Sequence, residues 1–513
     1  MFRQAFFWIT LALGVAGLRG QSPTPSERHV VIVVWDGMRP DFVTAEHTPT
    51  LWKLGQDGVL FTNHHPVYFS ATNVNGTALA TGMYPSHSDL IANVEFRPLI
   101  DGHKPIDVSN VEAIKRGDEV SHDNYISAPT VAELVQKAGG RSVIAASKTV
   151  GVLHDRPRLA EFANRSVTLA AGTAWPNEAT SLIEKALGPF PIEHNDRDVW
   201  TTRALTEVLW KDGVPPFSVL WLGQPDLTQH ETAPGSDEAL RAMKASDTNL
   251  ATVLAALDRY GIRQSTDIFI VSDHGFSTIE REVDLPRILA DAGFKVSTEF
   301  KTEPAPGKIM LVGGGGSVLF YVVNHESAVV NRLIEFLQKS DFAGVIFARN
   351  PAEGTFSLDQ AKIDSRDAPD VVMAFRWNDR PNQHGVPGMI DGDWQRGAGK
   401  GTHATLSRFD MHNTLVAAGP DLQRGKSDNL PTGNVDLAPT VLSILKIPVA
   451  NKMDGRVLDE ALITGGAPAK PETQTIEATR RFPTGVWRQS LRVSRVGTTV
   501  YLDEGNGSFT PAK

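Results

Sequence analysis

Five short segments of the sequence carry acidic, imidazole and hydroxyl side chains of the kinds that build a two-metal phosphoryl-transfer site. They are Trp35-Asp36-Gly37, Thr72-Asn73-Val74-Asn75, Asp226 with His230, Ser272-Asp273-His274-Gly275 and Gly401-Thr402-His403. Together they supply three Asp, three His and one Thr hydroxyl. This set is sufficient to bind two zinc ions through nitrogen and oxygen ligands and to hold a nucleophile on one of them.

The meaning of each segment depends on the backbone around it. Asp36 follows an apolar run and precedes Gly37, where a carboxylate either turns the chain or binds a metal. Thr72 precedes a helix-like stretch, so its hydroxyl is either a helix cap or a nucleophile favoured by the helix N-terminus. Asp226 and His230 share one face only if their segment is helical.

The last two segments are ambiguous in the same way. Asp273 and His274 are adjacent, so they serve one site only where the backbone turns, which Gly275 permits. His403 follows a glycine-rich stretch, residues 396–402, where a lone histidine is usually solvated. The joint order of the five segments, rather than any one of them, indicates a metal site.

The alternation of apolar runs with helical patterns predicts an α/β fold, with a mostly parallel sheet covered by helices on both faces. Strands are predicted at His29 to Trp35, Ser142 to Ala146, Phe217 to Leu222, Asp267 to Val271 and Leu415 to Ala418. Helices are predicted at Thr48 to Asp57, Thr130 to Ala138, Asp237 to Tyr260 and Val435 to Leu445. Open α/β sheets bind ligands beyond the carboxyl ends of their strands, which is where several of the five segments begin.

The same patterns divide the chain into regions. Residues 1–20 read as a secretory signal, with Arg3 before an apolar stretch from Ala5 to Leu18. A catalytic domain is expected at 29–460, with an inserted cap subdomain at 277–400, and 461–513 are expected to form a linker and a short β-like tail. We therefore expect an exported protein, periplasmic or extracellular, with no membrane span after signal removal.

Composition excludes some functional classes. The formal net charge of −9 and the lack of a basic stripe give no reason to expect a nucleic-acid-binding surface. The absence of cysteine excludes disulfides, thiolate zinc ligands and a cysteine nucleophile. With 41% hydrophobic residues, the chain has ample material for a core, and its oligomeric state is left open.

The sequence resembles the alkaline phosphatase superfamily, and within it the nucleotide pyrophosphatase/phosphodiesterases, the type I phosphodiesterase family. The resemblance extends from residue 30 to about residue 457. The matching stretches are Val33-Val34-Trp35-Asp36-Gly37-Met38-Arg39, Thr48-Pro49-Thr50-Leu51 with Leu54 and Gly58, Thr72-Asn73-Val74-Asn75, Leu79-Ala80-Thr81-Gly82-Met83-Tyr84-Pro85-Ser86-His87, Pro225-Asp226 with His230, Ser272-Asp273-His274-Gly275, and Asn434-Val435-Asp436-Leu437-Ala438-Pro439.

The resemblance implies roles for the residues at matching positions. It implies two Zn²⁺ sites, one held by Asp226, His230 and His403 and the other by Asp36, Asp273, His274 and Thr72. Thr72 would be the nucleophile of two successive in-line displacements that hydrolyse a phosphodiester or pyrophosphate bond of a small-molecule phosphate ester. Asn93 matches the asparagine that binds a non-bridging phosphate oxygen, and Asn75 matches a supporting asparagine of the substrate site.

Three departures from the family pattern concern the substrate pocket rather than the metal ligands. Asn73 and Val74 stand where the family usually has an aromatic residue and a proline. The sequence has His87-Ser88 where a His-Gly pair is common, and His403-Ala404-Thr405 where His-Gly-Tyr is usual. The ligand set is intact. These changes weaken only the expectation of a pocket that sandwiches a nucleobase.

Alternative functions remain open. Lys148 lies where threonine-dependent alkaline phosphatases have the lysine of a Lys-x-Arg pair, but Val150 replaces the arginine. A phosphomonoesterase using Lys148 for substrate binding is therefore one alternative, and a phosphonate hydrolase with the same ligands is another. A sulfatase is disfavoured, because the nucleophile segment lacks the Ser/Cys-x-Pro/Ala-x-Arg pattern. Zinc content and activity on a chromogenic phosphodiester would separate an enzyme from a non-catalytic binding protein.

Overall fold

The computed structural model describes residues 28–156, 166–449, 452–467 and 470–512, so the predicted signal segment lies outside the described residues. The largest sheet has nine strands, which we number in chain order: β1 His29–Trp35, β2 Val59–Phe61, β3 Ser142–Ala146, β4 Val167–Ala170, β5 Thr173–Trp175, β6 Phe217–Leu222, β7 Thr266–Val271, β8 Leu415–Ala418 and β9 Lys426–Asp428. Their order across the sheet is β9-β2-β8-β7-β1-β6-β3-β4-β5.

The centre of this sheet is parallel, which confirms the predicted fold class. Strands β7, β1, β6, β3 and β4 run in the same direction, while β8 and β5 are antiparallel to their neighbours. The sequence of β1, HVVIVVW, is apolar almost throughout because both faces of a central parallel strand are covered.

Thirteen α-helices are found in the described residues. They are α1 Pro49–Asp57, α2 Thr72–Thr81, α3 Pro85–Ser88, α4 Val111–Ser121, α5 Val131–Lys137, α6 Gly151–His154, α7 Glu178–Leu187, α8 His194–Arg203, α9 Asp226–Thr232, α10 Asp237–Arg259, α11 Leu285–Asp291, α12 Ser327–Gln338 and α13 Leu437–Ile444. Alternate residues of β1 face opposite layers: Val30 and Ile32 pack in the core that includes α5 and α13, and Val31 and Val33 in the core that includes α1 and α10.

The region between residues 277 and 402 contributes two further sheets. A six-stranded sheet has the order Val296–Ser297, Ile309–Gly313, Ser317–Val322, Val371–Phe375, Ala343–Ala348 and Phe356–Ser357. A four-stranded sheet has the order Trp377–Pro381, Pro387–Gly392, Ser277–Glu282 and Gly401–Thr402. Helices α11 and α12 cover the first sheet, with Leu333 and Leu337 of α12 in a shared core.

The chain ends in an antiparallel sheet of three long strands, Glu472–Phe482, Gly485–Val496 and Thr499–Pro511, in the region expected to form a short β-like tail. Two small ladders pair His64–His65 with Thr432–Gly433 and Val94–Glu95 with Ile106–Asp107. Within the described ranges, the structure has no helix that is both long and apolar enough to cross a membrane.

Helix α2 begins earlier than its sequence suggests. The apolar pattern starts at Thr77, but the helix begins at Thr72. Gly76 lies inside the helix, where a larger residue would not fit because a Cβ would stand 2.4 Å from Val150 Cγ2. The glycine therefore serves close packing, and Thr72 occupies the first helical position.

Candidate active site

The proposed ligands converge because they follow three adjacent parallel strands. Asp36 comes directly after β1, Asp226 begins α9 shortly after β6, and Asp273 follows β7 by one residue. Strands β7, β1 and β6 are neighbours, so their carboxyl ends lie side by side. This is the edge at which open α/β sheets bind ligands.

A glycine turn connects two of these strand ends. Gly37 has φ +71°, a conformation that favours glycine, and its N–H donates to Asp273 Oδ1 over 3.0 Å. Gly275 is needed for a different reason, since a Cβ there would lie 2.0 Å from the Phe409 carbonyl oxygen. The backbone conformation at Gly37 and the close contact at Gly275 thus explain why both positions beside the predicted ligands are glycine.

The first ligand cluster comprises Asp226, His230 and His403, whose ligand atoms lie within 4.8 Å of one another. Asp226 and His230 both lie on α9, so the helical reading of their i, i+4 spacing is correct. His230 Nε2 is 3.2 Å and His403 Nε2 is 3.6 Å from Asp226 Oδ1. Asp226 Oδ1 is buried and lacks hydrogen-bond geometry to any donor in the described residues.

The second cluster comprises Asp36, Asp273 and His274, again with ligand atoms within 4.8 Å. All three are fully buried. His274 Nε2 lies 3.5 Å from Asp36 Oδ1 and 3.3 Å from Asp273 Oδ2. Thr72 Oγ1 stands beside this cluster, 3.5 Å from Asp36 Oδ1 and 3.4 Å from His274 Nε2.

The three histidines are oriented by the same device. The Nδ1 atom of each lies at hydrogen-bond distance from a backbone carbonyl: His230 to Gly401 at 3.0 Å, His274 to Gly275 at 2.9 Å and His403 to Ser70 at 2.8 Å. An Nδ1–H that donates to a carbonyl leaves the Nε2 lone pair directed into the site. All three Nε2 atoms are therefore presented as ligands.

Burial perturbs the acids and bases of both clusters. Burial and the Asp273 carboxylate raise the pKa of Asp36 to about 8, and burial raises the pKa of Asp273 to about 7. Burial opposes ionisation of Asp226 too, but Lys148 and His230 outweigh it and hold its pKa well below the usual range. Burial and the neighbouring His274 lower the pKa of His403, which keeps this imidazole neutral.

The donor set fits divalent zinc. Each cluster offers carboxylate oxygens and imidazole nitrogens, the ligands that zinc takes in proteins without cysteine. Asp226 Oδ1 and Asp273 Oδ2 are buried oxygens without a hydrogen-bond partner in the part of the chain described. A buried anionic oxygen is costly unless it is paired, and a bound cation would pair both.

Lys148 joins the two clusters. Its Nζ lies 2.9 Å from Asp36 Oδ2 and 2.9 Å from Asp226 Oδ2. Burial opposes the charged form, but Asp226, Asp36 and Asp273 outweigh it and raise the pKa of Lys148 above its ordinary value. The neighbouring carboxylates therefore favour a charged lysine between the two clusters.

Asn93 is placed beside the start of α2, close to Thr72. Its Oδ1 accepts a 2.7 Å hydrogen bond from the backbone N–H of Asn73, at the N-terminus of α2. Anchoring the oxygen in this way leaves the Nδ2 group of Asn93 as the remaining donor, at the end of the helix that favours anions.

Asn75 is fully engaged with the protein itself. Its Nδ2 donates to the carbonyls of Val67, Phe69 and Ala71 at 3.0–3.2 Å. Its Oδ1 accepts from the Val67 N–H at 2.8 Å and from Asn434 Nδ2 at 2.9 Å. These contacts shape the segment before Thr72, which favours a positioning role for Asn75 over direct contact with substrate.

Two positioning residues were not identified as such from the sequence. Trp221 donates from Nε1 to Asp36 Oδ2 over 2.9 Å, although it reads as an ordinary core residue of β6. Asn434 donates from Nδ2 to Asn75 Oδ1 and to the Asp273 carbonyl at 2.9 and 2.8 Å. Asn434 belongs to a stretch that carries the family resemblance, and this was the available signal.

The sequence is similar to those of a known protein family. A sequence profile of the family described as type I phosphodiesterase / nucleotide pyrophosphatase matches residues 30–384. Bis(5′-adenosyl)-triphosphatase from Mus musculus is 22% identical over 303 residues, covering 58% of this chain and 58% of that protein. Ectonucleotide pyrophosphatase/phosphodiesterase family member 1 from Homo sapiens is 22% identical over 271 residues, covering 50% of this chain and 24% of that protein. The matched regions thus cover 58% and 24% of the lengths of these two relatives.

Solved structures show the same fold. Murine ectonucleotide pyrophosphatase/phosphodiesterase 5 superposes with a TM-score of 0.60 at 16% identity, covering 85% of this chain and 100% of that chain. The human protein of the same name gives 0.59 with the same identity and coverage. The family profile covers more than half of the sequence, including the three central strands except for His29, so this chain belongs to the type I phosphodiesterase / nucleotide pyrophosphatase family.

Proposed function

We propose that this protein is a zinc-dependent hydrolase of phosphodiester or pyrophosphate bonds in small-molecule phosphate esters, acting through a phosphothreonine intermediate. The observation that carries the proposal is the position of Thr72 Oγ1, 3.4 Å from His274 Nε2 and 3.5 Å from Asp36 Oδ1, at the N-terminus of α2. A hydroxyl there is close to a candidate metal cluster and to the end of a helix that favours phosphate.

Each ligand cluster would hold one zinc ion: Asp226, His230 and His403 the first, and Asp36, Asp273 and His274 with Thr72 the second. Bound zinc would lower the pKa of oxygen nucleophiles and neutralise charge that develops on the phosphoryl group. The other cation of the site, Lys148, would contribute a charged hydrogen bond to a phosphate oxygen.

The proposed reaction has two displacements. Thr72 Oγ1 bonds to phosphorus as the ester oxygen leaves from the opposite side. The hydroxyl proton of Thr72 passes to solvent or to the leaving oxygen. Water then attacks phosphorus, the phosphothreonine bond breaks, and Thr72 recovers its hydroxyl as a phosphate monoester departs. Throughout, Asn93 Nδ2 would bind a non-bridging oxygen and hold the phosphoryl group in line.

The relatives support this substrate class. Those reported above are named as a bis(5′-adenosyl)-triphosphatase and as nucleotide pyrophosphatase/phosphodiesterases. One murine structure is of an inactive threonine-to-alanine variant in complex with AMP. These names are consistent with a small-molecule phosphate ester as substrate and with a threonine that is needed for activity.

Trapping the intermediate tests the proposal. Wild type, Thr72→Ala and the matched control Thr72→Ser would be mixed with bis(p-nitrophenyl) phosphate, quenched in acid and analysed by peptide mass spectrometry. We expect a p-nitrophenyl phosphoryl group on residue 72 of the wild type, and a loss of turnover by several orders of magnitude in Thr72→Ala with folding and zinc content retained. Near-normal turnover of Thr72→Ala, or phosphate on another residue, would contradict the mechanism.

A second candidate function is phosphomonoester hydrolysis. The observation that favours it is Lys148, whose Nζ lies 2.9 Å from one carboxylate of each cluster. A cation there is suited to the additional negative charge of a monoester. The Lys148 experiment described in the Discussion distinguishes the two functions.

Export is part of the proposal, on the sequence of residues 1–20 alone. The mature chain is expected to begin near Gln21 and to reside in the periplasm or outside the cell. N-terminal sequencing of the protein from its native host would check this, and a cytosolic chain that begins at Met1 would contradict it.

A further inference from the structure

A polar wall lies next to the nucleophile position. Asn73, the residue after Thr72, is only 7% exposed and is held at both its backbone and its side chain. Its N–H donates to Asn93 Oδ1 over 2.7 Å, and its Nδ2 donates to Asp107 Oδ1 over 3.4 Å. The surface beside Thr72 is therefore made of amide and carboxylate groups.

Asp107 is fixed through one oxygen and available through the other. Its Oδ1 accepts from the Ser109 N–H at 2.8 Å, from Ser109 Oγ at 2.7 Å and from Asn73. Its Oδ2 has no hydrogen-bond partner in the described parts of the chain, and the side chain is exposed. A carboxylate accepts only, so this solvent-facing oxygen is available to a hydrogen-bond donor on a bound substrate.

The position of Asp107 is constrained from two sides. It pairs with Val94, the residue after Asn93, in a short antiparallel ladder. On the other side, Ser109 Oγ lies 2.7 Å from the hydroxyl of Thr149, which follows Lys148. The carboxylate is thus tied to the Asn93 segment and to the Lys148 segment, both of which border the candidate site.

We propose that Asn73 and Asp107 form a subsite for a hydrogen-bond donor, a hydroxyl or an ammonium group, on the organic substituent of the substrate phosphodiester. The inference rests on the proposed function and names the substrate feature that this site selects. A flat ring without donors would bury the Asp107 oxygen unpaired, which is unfavourable, whereas a short substituent with a donor satisfies it.

Three p-nitrophenyl phosphodiesters of similar size test the proposal: the propyl, 2-hydroxyethyl and 2-aminoethyl esters. All three release p-nitrophenolate. Because the hydroxyl of the 2-hydroxyethyl ester can itself displace p-nitrophenolate, the rate of Thr72→Ala on each ester is subtracted, and the remaining differences in kcat/KM report recognition of the second substituent. A hydrogen bond to a charged group is worth about 1.5–3 kcal/mol, so we expect at least one donor ester to exceed the propyl ester by about 10- to 150-fold. Preference for the aminoethyl ester alone would identify a cation, and preference for both would identify a neutral donor as sufficient.

Asp107→Asn keeps the side-chain shape and removes the charge, so the ratio of donor-ester to propyl-ester kcat/KM should fall towards one. Asp212→Asn makes the same charge change at an exposed turn remote in sequence from the proposed site residues, and it should retain the wild-type ratio. Equal rates on all three esters in the unaltered protein would overturn the subsite, whatever the variants do. Failure of the proposed function differs from this, because no ester would then release p-nitrophenolate.

Discussion

Replacing Lys148 by alanine should change which phosphate esters the protein hydrolyses. Lys148 Nζ is 2.9 Å from Asp36 Oδ2 and from Asp226 Oδ2, so it lies between the two ligand clusters. Its side chain is 21% exposed, and bulk salt therefore screens it only weakly. The neighbouring carboxylates raise the pKa of Lys148, which favours its charged form.

The expected magnitude follows from the charge of the substrate. A diester carries one negative charge at phosphorus, and a monoester carries nearly two. A hydrogen bond from an ammonium group to the additional charged oxygen is worth about 1.5–3 kcal/mol. At about 1.4 kcal/mol per factor of ten, Lys148→Ala should lower kcat/KM for p-nitrophenyl phosphate by about 10- to 150-fold, and for bis(p-nitrophenyl) phosphate by much less.

Zinc content must be measured in the same preparations. Removing Lys148 leaves two carboxylates with less compensating charge, so zinc affinity should rise or stay constant in Lys148→Ala. Lys148→Arg is the matched control, since it retains the charge but changes the donor geometry.

The assay compares monoester and diester rates for wild type and both variants at equal zinc occupancy. We expect the wild type to prefer diesters, because Val150 supplies no second cation. Equal losses on both substrates, with zinc content and melting temperature unchanged, would refute the charge argument. A wild type that hydrolyses monoesters far faster, with that activity lost selectively in Lys148→Ala, would establish the phosphomonoesterase function instead.

Three other predictions concern the metals and the fold. His230→Ala should reduce the zinc content from about two ions to one per chain, measured by atomic emission. Removing both zinc ions from the wild type with a chelator should abolish activity. A wild type that binds only one zinc ion tightly would contradict the two clusters. Asn434→Ala removes the hydrogen bond to the Asp273 carbonyl and should cost about 10- to 100-fold in zinc affinity or kcat, measured by competition with a chromogenic chelator. Burial lowers the pKa of His154 to about 4, below its ordinary value of 6.5. The unfolded chain therefore takes up a proton at this residue before the folded protein does, and the free energy of unfolding is highest above pH 6.5 and falls as the pH falls towards 4. In urea unfolding, the free energy of unfolding of His154→Leu relative to wild type should therefore be about 2 kcal/mol higher at pH 5 than at pH 8. The same difference between the two proteins at both pH values would refute the burial argument.

Much of the fold is predictable because its signals are local. Strand β1 has the predicted bounds, since a central parallel strand must be apolar on both faces. The i, i+4 spacing of Asp226 and His230 becomes informative once α9 is known to be helical. Together with the rule that ligands bind beyond strand ends, these signals predict which segments meet.

Other features of the candidate site have no local signal. The position of Lys148 between the two clusters depends on the loop after β3 folding over β1 and β6, which no residue pattern encodes. Trp221 is one of several large apolar residues in β6, and only its orientation towards Asp36 distinguishes it. The helix-like pattern after Thr72 does not show that α2 begins at Thr72, because the close contact of Gly76 with Val150 is visible only in the fold.

The carbonyl groups that orient the three histidines have a consequence for how this site can vary. Gly275, Gly401 and Ser70 act through main-chain oxygen atoms, so no side chain supplies the acceptor. At Gly275 and Gly401 a Cβ would lie 2.0 and 2.4 Å from a neighbouring carbonyl oxygen, so a substitution there moves the backbone that holds the acceptor. At Ser70 an alanine would keep the carbonyl, and alanine scanning would miss its role. Replacing the Ser70–Ala71 amide by an ester, through chemical synthesis or semisynthesis, would weaken that carbonyl as an acceptor without altering any side chain. Point mutation of Ser70 has no equivalent change, which protects the direction of the His403 imidazole even where the substrate pocket diverges.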